Sequence, residues 1–260
     1  MFGTFGWPVG AASLSLILVA VGMARLSGLQ ITREIVIASV RAAVQLLVVG
    51  VLFTAIFAST AAPIWASAWV VGMVVVGSAV VVRRARRPID GLALVVGSAV
   101  VGSTLVSVAV VFGFGVITLE PVSLVVVSGI TIGNAVPLAV LGVNQSIDLA
   151  RDRVGELEAV LAFGFGRRAV VRFMAPRVAE AALTPQIERT KMVGLIALPG
   201  AMTGLLLAGV EPLDAVMIQL IVMYLVLGSA AVCVVSVVTL VTRASVSSDL
   251  RVAAWVRPDG

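Results

Sequence analysis

Long apolar runs, most of them separated by short polar segments, dominate this chain. Each run holds roughly the 20 helical residues that cross a hydrocarbon core of about 30 Å. Lipid offers no hydrogen-bond partners, so a spanning segment must satisfy its backbone groups internally, as a helix does. The pattern therefore predicts an all-α polytopic membrane protein with about seven transmembrane helices, placed at Trp7–Met23, Ile35–Ala58, Pro63–Val82, Leu92–Ile117, Pro121–Val143, Val193–Val210 and Ala215–Val241.

One polar segment, residues 144–191, is much longer than the others and lies between the fifth and sixth predicted spans. It holds six acidic and eight basic residues, or 14 of the 31 charges that 18 Lys and Arg and 13 Asp and Glu give the chain. Apolar residues at helical spacing predict a helix from Ser146 to Phe163. Gly164 and Gly166 are expected to end it.

The second half of this segment predicts a short helix with basic and apolar residues, ending at Pro176. Thr184-Pro185 is typical of the start of a further helix, which we expect to continue into the sixth span. A short helix between two breaks suits insertion into a groove on a partner protein, although anionic lipid is an alternative surface for it. Glu156 and Glu158 would be poor neighbours for lipid, so we favour a protein partner.

Charge distribution predicts the orientation of these helices. The chain is 60% hydrophobic and 12% charged, with a net charge of +5. Lys and Arg collect on the cytoplasmic side of membrane proteins, which explains the positive charge without nucleic acid. With the N-terminus outside and the C-terminus inside, all 18 Lys and Arg lie on or near one side. The outer loops then carry only Glu120, Glu211 and Asp214. We expect a single multi-pass transmembrane domain, residues 1–260, in the plasma membrane.

Catalytic chemistry is not expected in this chain. It has no histidine and one cysteine, which excludes an internal disulfide and a His or Cys metal cluster. A phosphate-binding loop of the form GxxxxGK[ST] does not occur, and Lys191 is the only lysine. We therefore predict no bound cofactor, and any ATP hydrolysis must take place in another chain.

Polar and sulfur-containing residues within the spans are candidates for a transport path. The fifth and sixth predicted spans are interrupted by Pro137 and by Pro199-Gly200, a pattern typical of transport sites. Such positions also occur as packing kinks, a basic side chain near a span end can reach the interface, and methionines often fill gaps. The candidates are Arg41, Gln45, Asn134, Asn144, Met202, Thr203, Gln219 and Met223. The residues alone do not identify a metal site.

Part of the polar segment, residues 144–191, resembles a motif of a known protein family. The run from Glu158 to Gly164, EAVLAFG, followed by Pro176, resembles the EAA loop of ABC-transporter permeases. Val160 departs from the second alanine of that motif, and Pro176 comes about one residue early. Longer stretches resemble the FetB family of ABC permeases, known for iron export and metal resistance, with aluminium-tolerance relatives in plants. These stretches are SVRAAVQLLVVG (39–50), GNAVPLAVLGVNQSID (133–148), ALTPQIERTKMVGLIALPGAMTGLLLAG (182–209) and QLIVMYLVLGSAA (219–231).

The resemblance implies a permease subunit that exports a metal ion, iron or a related solute. It implies two permease chains paired with two separate ATPase subunits, which would bind the ATP and Mg²⁺. The polar segment would be the coupling-helix loop, and the expected ATPase-docking residues are Glu158, Ala159, Gly164, Arg167, Arg168, Arg172 and Pro176. A stand-alone secondary transporter or channel is the alternative. Such carriers need buried ionisable groups, and the predicted spans contain only Arg41, near one end.

Overall fold

All regular secondary structure in the described residues is helical. The computed structural model describes residues 7–29 and 31–257. Its α-helices are α1 (Trp7–Leu26), α2 (Thr32–Ala58), α3 (Ala62–Arg83), α4 (Leu92–Gly113), α5 (Pro121–Asp152), α6 (Val154–Ala162), α7 (Arg167–Met192), α8 (Gly200–Leu207) and α9 (Pro212–Ala244), followed by a 3-10 turn at Ala254–Val256. The prediction of an all-α chain is confirmed.

Val-rich sequences form these helices although β-branched residues favour strands in water. The reason is that a lone strand leaves its backbone groups without partners in lipid. Local signals fix several ends: Pro121 and Pro212 occupy the first turns of α5 and α9, where a missing N–H costs nothing. Gly91, with φ of +74°, starts α4 from a left-handed conformation that suits glycine.

Within the described part of the chain, five helices are long and apolar enough to cross a membrane: α2, α3, α4, α5 and α9. The part of α1 from Leu14 to Leu26 is also apolar but shorter. The sixth predicted span, Val193–Val210, is not a single helix. Its first residues form an isolated bridge between Val193 and Ala197, with Gly194 at φ of +88°, and only the eight residues of α8 are helical. At 1.5 Å per residue, α8 is about 12 Å long and cannot cross by itself.

The chain divides into two compact units, residues 1–62 and 63–260. In the first unit, α1 packs against α2. In the second, α9 is the central helix and contacts α4, α5, α7 and α8. The core of the second unit is made of small and β-branched residues, and α3 joins it where Gly77 faces Val136.

Helices α5 and α9 run parallel to one another. A Cβ placed on Gly142 would lie 3.0 Å from Val238, and two turns later Ala150 shares a buried cluster with Val246. Helix α7 runs antiparallel to both, because Ala182 lies opposite Gly142 while Met174 lies in the cluster of Ala150. If α5 and α9 both cross the membrane, the chain between them must cross back. Helix α7 provides the first part of that return.

The predicted arrangement of residues 144–191 is wrong in three respects. Helix α5 continues to Asp152, well beyond the predicted fifth span. Helix α7 is unbroken for 26 residues and contains both Pro176 and Pro185, so Pro176 ends no helix. Thr184 is not an N-cap, because its Oγ1 donates a hydrogen bond to the carbonyl of Glu180 at 2.8 Å, inside α7. Packing of α7 against α5 and α9 outweighs the local cost of the two prolines.

Candidate functional site

A small apolar cluster holds together the C-terminal end of α5, α6, the start of α7 and the C-terminal segment. Its fully buried members include Leu157 of α6, Val170 and Met174 of α7, and Val256. Leu157 and its half-buried neighbours face this cluster, so the opposite side of α6 is exposed. Helix α6 therefore packs against the bundle on one side and is exposed on the other.

The exposed side of α6 ends in two aromatic residues. We define the α6 face as Glu158, Ala159, Ala162, Phe163 and Phe165, all of them exposed. Phe163 is 81% exposed and Phe165 58%. Because soluble surfaces carry few exposed phenylalanines in a group, such a pair marks an interaction site.

Gly164 determines the geometry of this face. It has a φ of +82° at the C-terminus of α6. Its N–H donates to the carbonyl of Leu161 at 3.0 Å, and the N–H of Phe165 donates to Val160 at 3.2 Å. This pair of bonds is a Schellman motif, which needs a left-handed residue that is usually glycine. The motif turns the chain sharply, so that both phenylalanines remain exposed.

The C-terminal segment borders the α6 face, a contact that the sequence analysis missed. Val246 and Val252 form an antiparallel bridge around a tight turn, in which the N–H of Ser247 donates to the carbonyl of Arg251 at 2.8 Å. Leu250, at the tip, lines a groove together with Glu158, Leu161, Ala162, Arg251, Val252 and Arg257. The signal in the sequence was turn chemistry, Ser-Ser-Asp between two valine-containing stretches.

The predicted docking residues divide into two groups. Glu158, Ala159 and Gly164 belong to α6 and its end, whereas Arg168 and Arg172 line a separate cleft between α7 and α9. Arg167 lines the same cleft, and its Nε donates to the carbonyl of Ser247 at 3.2 Å. Pro176 is exposed farther along α7. No residue that lines the groove beside α6 also lines this basic cleft.

Asn144 fixes the connection between α3 and α4. Its Oδ1 accepts a hydrogen bond from the N–H of Arg86 at 2.9 Å, and its Nδ2 donates to the carbonyl of Arg84 at 3.1 Å. One turn later, Asp148 pairs with the Arg86 guanidinium. Both the oxygen and the nitrogen of the Asn144 amide therefore have hydrogen-bond partners, and these contacts give the residue a structural role.

The other candidates for the transport path in the second unit are spread along the helices. Asn134 donates to the carbonyl of Ile130 in its own helix at 2.8 Å, and exposed Thr203 donates to Pro199 at 3.2 Å. Met202 and Met223 are half-buried. Gln219 is buried, and its Oε1 has no hydrogen-bond partner in the described part of the chain.

The register of the parallel helices separates Asn134 from Gln219. Since Gly142 lies level with Val238, Asn134 lies level with about Ala230, eleven residues from Gln219. That corresponds to about 16 Å along the axis. Arg41 and Gln45 are both exposed on α2, in the first unit. No three His, Cys, Asp or Glu side chains are grouped to hold a metal ion within the described residues.

An ion pair on α7 lies level with Asn134. Ala182 of α7 faces Gly142 of α5, and the two helices are antiparallel. Glu188, six residues farther along α7, therefore lies about 9 Å from that level toward the N-terminus of α5. Its Oε1 accepts from Lys191 Nζ at 2.8 Å, and both side chains are more than half exposed. Helix α5 is a membrane-crossing candidate at this level. An acidic side chain of α7 thus lies level with the middle of α5, although it is outside the spans predicted from the sequence.

The long apolar helices, together with a composition unlike that of a soluble protein, identify the chain as a multi-pass helical membrane protein. The chain belongs to the uncharacterised protein family UPF0014, whose family model matches residues 9–246. It is 34% identical over 228 residues to the rice UPF0014 membrane protein STAR2 (Oryza sativa subsp. japonica), covering 86% of this chain and 78% of that one. No solved structure matches it significantly.

Two further relatives carry functional names. The Arabidopsis thaliana protein named ALUMINUM SENSITIVE 3 is 29% identical over 226 residues, covering 85% of this chain and 81% of that protein. The Escherichia coli protein named "Probable iron export permease protein FetB" is 25% identical over 221 residues, covering 85% of each. The family assignment made from the sequence motifs is thus confirmed.

Proposed function

We propose that this chain is the membrane-spanning permease subunit of an ABC transporter that exports a metal ion or a related solute. The observation that carries the proposal is the α6 face, with its two exposed phenylalanines beside a buried apolar cluster. An exposed aromatic pair beside Glu158 suits a groove on a separate ATPase, which would bind ATP and Mg²⁺. The name of the E. coli relative supports metal export.

The proposed topology has seven crossings, with the N-terminus outside and the C-terminus inside. The five long helices and α1 supply six of them, and the return between α5 and α9 supplies the seventh. This crossing combines the C-terminal part of α7 with residues 193–211, including α8. The α6 face and its cluster then lie in the cytoplasm of a plasma-membrane protein, where an ATPase can reach them. A permease homodimer with two ATPase subunits completes the proposed assembly.

Binding of the purified full-length chain to a candidate ABC ATPase tests this function. We expect Phe163→Ala to weaken binding by at least tenfold, as truncation of a central aromatic contact does. Phe114→Ala is the matched control, because Phe114 is 83% exposed but follows α4 at the opposite end of the helices. Equal binding of wild type and Phe163→Ala would contradict the docking assignment.

A stand-alone carrier is the second candidate, and one observation favours it. Ion-coupled carriers place ionisable groups at membrane depth, and Glu188 lies level with Asn134 on the returning segment. Transport by the chain alone in liposomes without ATP would support this alternative. Transport that requires both ATP and the ATPase would exclude it.

A further inference from the structure

A cleft between α7 and α9 concentrates positive charge. It is lined by Val171 and Thr239 and by four arginines, Arg167, Arg168, Arg172 and Arg243. Arg168 and Arg172 are four residues apart and so share one face of α7. Thr239 and Arg243 are likewise four apart and share one face of α9. These two helix faces form the opposite walls of the cleft. Its volume of about 350 Å³ is in the range of small-molecule sites.

Acidic side chains do not balance this charge. Among the described residues, no carboxylate lies within ion-pair distance of these four guanidinium groups; Asp148, Glu156 and Glu188 pair with Arg86, Arg153 and Lys191 instead. Arg167 is held in place by its bond to the Ser247 carbonyl. Helix α7 also begins here, with no acidic residue in its first turn and no side-chain cap on its first N–H groups. Four like charges around one cleft repel each other unless an anion occupies it.

The depth of the cleft indicates the source of such an anion. Counting about 20 residues from Pro121 places the end of the hydrocarbon core near Leu141. Gly142 lies level with Val238, so Thr239 and Arg243 lie within about two turns beyond that boundary. This is the level of lipid headgroups, and basic pockets between membrane helices are typical sites for anionic headgroups.

We propose that this cleft binds the phosphate of an anionic phospholipid headgroup. The guanidinium groups bind the phosphate oxygens, while Val171 and the arginine stems contact the glycerol. Its placement in the inner leaflet rests on the proposed topology. The proposal also separates the arginines from ATPase docking: the α6 face binds protein and the arginine cleft binds lipid.

Native mass spectrometry of the detergent-purified full-length chain, titrated with short-chain phosphatidylglycerol, tests the proposal. We expect one lipid to bind, and Arg168→Gln with Arg172→Gln to weaken that binding by about tenfold or more. Arg83→Gln with Arg84→Gln removes the same charge from exposed positions at the end of α3, outside the cleft, and is expected to change affinity less than about threefold. If the α7 variant does not fold, Arg243→Gln tests the same cleft from α9.

Four results would overturn the proposal. Equal loss in the cleft and control variants would mean general charge attraction, and equal binding of phosphatidylcholine would remove the need for an anionic headgroup. Tighter binding of inorganic phosphate than of phosphatidylglycerol would assign the cleft to a soluble phosphate. Unchanged lipid binding combined with lost ATPase binding in the Arg168 and Arg172 variant would assign these residues to the protein partner. The lipid measurement contains no ATPase, so its result is independent of the proposed transport function.

Discussion

Asn144 and Arg86 are joined by a hydrogen bond of 2.9 Å between the Asn144 side-chain oxygen and the Arg86 backbone N–H, 58 residues away in sequence. The same amide donates to the carbonyl of Arg84, so one side chain on α5 holds the turn that follows α3. The basic RRARRP sequence (83–88) at this turn is of the kind that collects on the cytoplasmic side of membrane proteins. It is also attached to α5, which in turn supports the segment leading to α6.

Asn144→Ala removes both of these hydrogen bonds. We expect it to lower the free energy of unfolding by about 1–3 kcal/mol, measured by thermal or chemical denaturation in detergent, because two backbone groups lose their partner. Asp148→Asn is the control: it weakens the neighbouring ion pair, which is largely exposed and worth no more than about 1 kcal/mol. Asn144→Ala with wild-type stability and reduced transport would instead assign the residue to the path.

Gly164→Ala tests the turn that presents the two phenylalanines. An alanine at φ of +82° is strained, and we expect a loss of about 1–2 kcal/mol of stability together with weaker ATPase binding. Gly155→Ala is the matched control within α6, because it has helical backbone geometry and open space for a Cβ. That change should stabilise the helix by up to about 1 kcal/mol. The same response to both changes would mean that the left-handed turn is unimportant.

Gly142→Ala tests the packing of α5 on α9. Its new methyl group would lie 3.0 Å from Val238, so we expect destabilisation by about 1–3 kcal/mol in the same unfolding assay. Gly133→Ala, on the same helix, meets no atom within 4 Å in the structure and should be neutral or stabilising. If Gly133→Ala proves the more harmful change, Gly133 faces a contact outside this chain, such as a second permease.

These glycines show where sequence reasoning succeeds and where it stops. The apolar runs identify α2, α3, α4, α5 and α9, because lipid allows few structures besides a helix. Gly129 and Gly133 have the GxxxG spacing that permits close packing, yet among the glycines of α5 the closest approach to a neighbouring helix occurs at Gly142. Spacing identifies small residues but not the neighbour they face, since that depends on the register between helices.

The α6 and α7 region was harder to predict, for a similar reason. Local signals at Pro176 and Thr184 predicted breaks, and the long-range contacts of Val178 and Ala182 with α5 and α9 were absent from that reasoning. The EAVLAFG motif correctly located the end of a helix at Gly164. The role of the C-terminal segment could not be predicted, because its contact with α6 joins residues almost 100 positions apart.

Glu188→Gln tests whether the ion pair on α7 lies in the transport path. At the level of Asn134 a carboxylate needs water or a cation nearby, so we expect cation transport in proteoliposomes to fall by at least about tenfold. Folding should change little, because the pair with Lys191 is more than half exposed and exposed pairs contribute at most about 1 kcal/mol. Glu156→Gln is the matched control, since Glu156 forms the same i,i+3 pair with Arg153 at α6, outside the proposed crossings. Its transport should stay near the wild-type value when normalised to bound ATPase. Wild-type transport by Glu188→Gln would remove the charge pair from the path and leave the other polar candidates, Asn134 and Gln219 among them.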